Sequence, residues 1–122
     1  MKVGLLYVAA AITALWGIAH LFATRGVVQG FGDLTEDNRR IITMEWIAEG
    51  VALVSTAAFV AAATMTAPTS AASAVYAVAI GTLVTLAVVS LFTGFKIAFP
   101  PFRLCPLIFG LSAALIAIGA WL

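Results

Sequence analysis

The chain has 122 residues, 64% of them hydrophobic and 9% charged, with a mean hydropathy of +1.17. A water-soluble domain of this size cannot bury so much apolar surface, so the composition is that expected of an integral membrane protein. Six basic and five acidic side chains nearly cancel, which excludes a basic nucleic-acid-binding surface and an acidic tail alike.

Four weakly charged runs follow in chain order. A helix needs about 20 apolar residues to cross a hydrocarbon core of roughly 30 Å, and Val3 to Thr24 supplies the first. This run is too long for a removed signal peptide and lacks the usual flanking pattern, so it is expected to stay in the mature protein. Gly26, Gly30 and Gly32 are expected to break it. In the polar segment Arg25 to Arg40, Asp33 or Thr35 can cap the next helix, with Glu36 and Asp37 favourably placed at its positive N-terminus. The second helix is therefore predicted from about residue 35, protruding from the bilayer before its apolar run, Ile41 to Thr66. The glycines ahead of it do not form a phosphate loop, since no Gly-Lys-Ser/Thr follows and no strand precedes. Ala67-Pro68-Thr69-Ser70 gives a tight turn, because proline lacks a backbone donor and biases its predecessor away from helix. The third run is Ala71 to Phe95, ended by a short loop, Lys96 to Arg103, that contains Pro100-Pro101; Leu104 to Leu122 is the fourth. The expected fold is all-α: one polytopic domain, an antiparallel bundle of four transmembrane helices with spans near 3–24, 35–66, 71–95 and 104–122.

Loop charge orients this bundle. Arg25, Arg39 and Arg40 lie between the first two spans, and Lys96 and Arg103 between the last two, while the opposite side carries only Lys2. Positive charge collects on the cytoplasmic side, so loops 25–40 and 96–103 are expected inside and both termini outside a cell inner (plasma) membrane. Small residues repeat every four positions at Ala9, Thr13 and Gly17, and again at Ser73, Ala77, Gly81 and Thr85. Such stripes let helix backbones approach closely, within one bundle or between copies of it.

The most informative side chains are Glu45 and Glu49, one helical turn apart inside the second span. Ionisable groups at membrane depth are expensive and usually turn toward a bundle interior, where they mark a functional site. His20 and Glu45 each lie about four residues from the inner ends of their spans, near 6 Å depth at 1.5 Å per residue, so they are expected to be level. Trp16 is then level with Glu49, and residues at i and i+4 share a face, which sets Trp16/His20 against Glu45/Glu49 in two tiers. Trp46 is expected to point elsewhere, toward the membrane interface. A carboxylate beside a histidine suits proton handling near neutral pH; the alternative is that the cluster merely locks helix register.

Other chemistries are disfavoured. Cys105 is the only cysteine and His20 the only histidine, so one chain offers neither a Cys-x-x-Cys pair nor a bis-histidine haem site. Two carboxylates on one helix with a single histidine make a poor metal triad. No metal or haem is therefore expected, whereas a quinone remains open as a cofactor. At the inner mouth Arg25, Lys96 and Arg103, with phenylalanines nearby, are expected to reach lipid headgroups.

The Gly17-Ile18-Ala19-His20-Leu21 and Met44-Glu45-Trp46-Ile47-Ala48-Glu49-Gly50 stretches, set in four spans within about 120 residues, resemble the DoxX-like group of small bacterial four-helix membrane proteins. The resemblance is one of layout over the whole chain. It implies a four-helix membrane fold and association with membrane redox complexes, some of them quinone-linked, and it assigns no catalytic residue. The lone cysteine speaks against a thiol-based role.

Two functions are thus expected in competition. In one, Trp16, His20, Glu45 and Glu49 line a site that binds a lipophilic small molecule, quinone- or lipid-like, or handles protons. In the other, the chain is a non-catalytic subunit packed against a larger membrane complex or another copy of itself. Drug export by an intramembrane glutamate is a lesser reading, because the acids lie in the second span and the loop charge is one-sided. Whether the chain is an enzyme is left open.

Overall fold

In a computed structural model describing residues 1–122, the chain forms four long helices: α1 (Val3–Gly30), α2 (Glu36–Thr66), α3 (Thr69–Phe92) and α4 (Pro100–Trp121). A 3₁₀ turn, Gly94–Lys96, lies between the last two. All four helices are long and apolar enough to cross a membrane.

Their ends differ from the expected ones for local reasons. Helix α1 continues through Gly26, because a helical glycine costs only about 1 kcal/mol relative to alanine and Val28 in the last turn is buried. The stop comes at Gly32, whose φ of 74° lies in the left-handed region that glycine adopts without strain. Thr35 then caps α2, its side chain accepting from the Asn38 N–H at 3.2 Å. Helix α3 begins at Thr69, two residues before the expected span, and gives way at Thr93 to the 3₁₀ turn, with the apolar segment continuing to Lys96. Pro100 and Pro101 start α4 instead of closing a loop, since a missing N–H is harmless in the first helical turn.

Helix α1 packs most extensively on α2, α3 on α4, and α1 on α4, whereas α2 and α3 meet least despite the short turn that joins them. The α2–α3 side is therefore the open seam of the bundle. It is tied by a 2.9 Å hydrogen bond between Tyr76 and Thr64. Leu6, Leu53, Val60, Leu83, Phe109 and Ile116 fill the core.

The tightest crossing joins α1 to α2. A Cβ added at Gly17 would lie 2.8 Å from the Gly50 carbonyl oxygen, and one at Gly50 would lie 3.0 Å from that of Gly17. Ala9, Thr13 and Gly17 are buried, so the first small-residue stripe serves packing within the chain. The third-helix stripe does not: Ala77, Gly81 and Thr85 are exposed, and α3 instead buries Ala72, Tyr76, Ala79 and Leu83.

Candidate ligand site around His20 and Glu49

The α1–α2 crossing brings His20 against α2 one turn beyond Gly17. The imidazole is 6% exposed. Its Nδ1 lies 2.9 Å from the Trp16 carbonyl oxygen, and because a carbonyl only accepts, Nδ1 is the donor. That leaves Nε2 to face Glu49, whose Oε1 is 3.6 Å away. The separation is that of an ion pair and slightly longer than a hydrogen bond. Glu49 itself is 37% exposed, so the pair has one dry member and one accessible member.

Trp46 holds the histidine from the other side. Its indole stacks on the imidazole with ring centroids 4.9 Å apart and planes 25° apart, and its Nε1–H donates to the His20 carbonyl oxygen at 2.8 Å. The Thr24 hydroxyl donates to the same oxygen at 2.9 Å. Trp16 meets the imidazole edge-on at 5.9 Å, and Phe102 meets Trp46 at 5.5 Å. His20 is thus fixed at its ring, its backbone and its Nδ1.

These aromatics enclose a cavity of about 350 Å³ between α1 and the start of α4, lined by Trp16, His20, Trp46, Phe99, Phe102 and Cys105 among others. Its rim residues Ala19, Ala23, Phe99 and Pro101 are exposed, so it opens sideways between the helices. A second cavity of about 270 Å³ lies toward α3, where Glu49, Ser90 and Thr93 make the lining more polar. His20, Trp46, Phe102 and Cys105 line both and form the partition between them. A cavity of 350 Å³ falls at the lower end of the range typical of small-molecule sites, which are mostly apolar with a few placed polar groups.

Of the residues singled out from sequence, Trp16, His20 and Glu49 come together. Glu45 does not join them: it is exposed and lines a groove on the open α2–α3 seam with Glu49, Thr56 and Thr82. The expected level pairing of His20 with Glu45 is replaced by one with Glu49, a turn further along. Trp46, expected to point away, is instead a principal wall of the site. No three His, Cys, Asp or Glu side chains gather as a metal-holding group. The basic residues also separate. The Arg103 Nε donates to the Ile97 carbonyl oxygen at 3.0 Å, bracing the turn that carries Lys96, whereas Arg25 lines a groove between α1 and α2 with Arg39.

Comparison with protein families, with curated proteins and with solved structures finds no match for this chain.

Proposed function

We propose that this chain is a multi-pass protein of the cell inner (plasma) membrane, an antiparallel bundle with both termini outside, that binds a lipophilic small molecule beside the His20–Glu49 pair. The observation that carries the reading is a buried imidazole, fixed in tautomer, forming the wall of an aromatic cavity and facing a partly accessible carboxyl group. A flat, carbonyl-bearing head such as a quinone suits walls made of Trp16, Trp46 and Phe102, and its tail would leave through the lateral opening. One proton moves along a single line: Glu49 gives it to Nε2 or takes it back, while Nδ1 stays committed to the Trp16 carbonyl. Glu45, on the groove that also reaches Glu49, is placed to pass protons to the pair or to attract a ligand to it.

The experiment is a titration of the protein in lipid nanodiscs with a short-chain quinone, read by quenching of tryptophan fluorescence. Saturable quenching is expected, weakened at least tenfold by His20→Ala and by Glu49→Gln and little changed by Glu45→Gln. Quenching that rises linearly without saturation in the unaltered protein would exclude the reading.

The second reading, a non-catalytic subunit of a larger membrane complex, draws on the outward stripe Ala77, Gly81 and Thr85, which packs against nothing within the chain. Gentle extraction decides it: a lone monomer speaks against it, and a stable assembly broken by Gly81→Leu speaks for it.

A further inference from the structure

We infer that Arg25 and Arg39 form a binding site for a phosphate-bearing anion, in the groove between the last turns of α1 and the first turns of α2. The groove has a volume of about 430 Å³ and is also lined by Gln29, Thr43 and the apolar Leu21 and Phe22. Two guanidinium groups share it. Neither has a carboxylate oxygen within 4.0 Å, since the only basic and acidic side chains that approach so closely are His20 with Glu49 and the exposed Arg40 with Glu36. Neither guanidinium makes a hydrogen bond within the chain; Arg39 is partly buried and Arg25 is exposed.

That arrangement leaves the partly buried Arg39 without a partner. A partly buried cation ordinarily finds a partner, and two like charges in one groove repel. The neighbouring arginine shows the alternative, because Arg40 turns outward and meets Glu36 at 3.1 Å one helical turn away. Arg39 instead lines the groove together with Arg25. A bound anion removes the repulsion and supplies both forks with acceptors, and phosphate oxygens match guanidinium donors in pairs. The Gln29 amide adds a neutral donor at the rim.

The apolar wall selects the form of the anion. Phe22 is 85% exposed and lines the same groove as the arginines, where the acyl chain of an anionic phospholipid would lie against it. The inferred ligand is therefore a phosphate group carried by a lipid, with free phosphate as the other source of the same chemistry. This site is separate from the aromatic cavity, and neither depends on the other.

The test is native mass spectrometry of the detergent-released protein, with phosphatidylglycerol and phosphatidylcholine supplied in turn and inorganic phosphate as a third arm. Phosphatidylglycerol is expected to be retained at least tenfold more than phosphatidylcholine. That preference should vanish in the Arg25→Gln/Arg39→Gln variant and persist in Arg40→Gln and in Lys96→Gln/Arg103→Gln. A thermal shift with inorganic phosphate, lost in the same double variant, would identify free phosphate as a sufficient ligand. Equal retention of the two lipids with no phosphate shift, or a preference that survives loss of both arginines, would overturn the inference. Phe22→Ala separates the sources, since it should reduce lipid retention severalfold and leave any phosphate shift unchanged.

Discussion

Trp46 binds His20 twice, stacking on its ring at 4.9 Å and donating to its carbonyl oxygen at 2.8 Å. The two contacts are separable. Trp46→Phe keeps an aromatic face and removes the donor, and a polar interaction between membrane helices is worth about 0.6 kcal/mol, up to about 1.7. Trp46→Ala also removes the wall shared by two cavities, for which about 3 kcal/mol or more is expected. Thermal unfolding of the detergent-solubilised variants should rank them in that order. If Phe and Ala prove equally harmful, the hydrogen bond and not the stack holds the imidazole.

The Gly17–Gly50 crossing sets the distance between His20 and Glu49. A methyl group at either glycine would press on backbone oxygen at 2.8 or 3.0 Å, and backbone cannot swing aside as a side-chain tip can. Gly17→Ala is expected to destabilise by about 1 to 3 kcal/mol and to part the imidazole from the carboxyl group. Gly81→Ala meets nothing within 4 Å and should be neutral or slightly stabilising, given the better helix propensity of alanine. Thermal stability of the two variants checks the contrast. Equal effects would mean that the crossing is looser than described.

The four helices were legible because apolar length is a strong signal, whereas their ends depended on contacts that no run of residues displays. Val28, buried in the last turn of α1, favours helix past Gly26, and Pro100 reads as a terminator or a starter until the direction of the chain beyond it is known. Placement of Trp46 was legible in principle. The buried stripe of α2 is Gly50, Leu53, Ala57 and Val60, and stepping back seven residues from Leu53, two helical turns, gives Trp46. Glu45 falls one residue off that stripe and Glu49 at its edge, which is why one acid faces out and the other reaches the histidine. The i, i+4 relation of the two acids hid this, because sharing a face says nothing about which part of the face turns inward.

Cys105 gives the site a built-in reporter, since it is the only cysteine, is 8% exposed and lines both cavities. Alkylation requires access and a thiolate, so N-ethylmaleimide should react far more slowly than with a cysteine at the exposed Phe22 position in a Cys105→Ser background. A ligand in the aromatic cavity should slow it further, and His20→Ala, which breaches the partition, should accelerate it. Labelling as fast as at position 22 would mean that the cavity is wide open.

Ser112 has a hydroxyl oxygen with no hydrogen-bond partner and is fully buried in α4. A buried polar atom left without a partner is destabilising, and removing it can be neutral or favourable. Ser112→Ala changes little else in size, so the variant is expected to unfold at the same or a slightly higher temperature. A clear loss of stability would mean that the hydroxyl has a partner after all.

The hydrogen bond across the open seam is asymmetric. The Thr64 hydroxyl donates to the Val60 carbonyl oxygen at 2.7 Å, which commits its only hydrogen, so Tyr76 must donate to Thr64 across the 2.9 Å between them. Tyr76→Phe therefore leaves no group stranded, and a loss near 0.6 kcal/mol is expected. Thr64→Val instead strands a hydroxyl on a side chain that is 1% exposed, for which about 1 to 3 kcal/mol is expected. The double variant removes the stranded hydroxyl as well and should regain most of that difference. Thermal unfolding of the three proteins measures the coupling directly: if Thr64→Val proves no worse than Tyr76→Phe, the tyrosine finds another acceptor and the seam is not tied at this point.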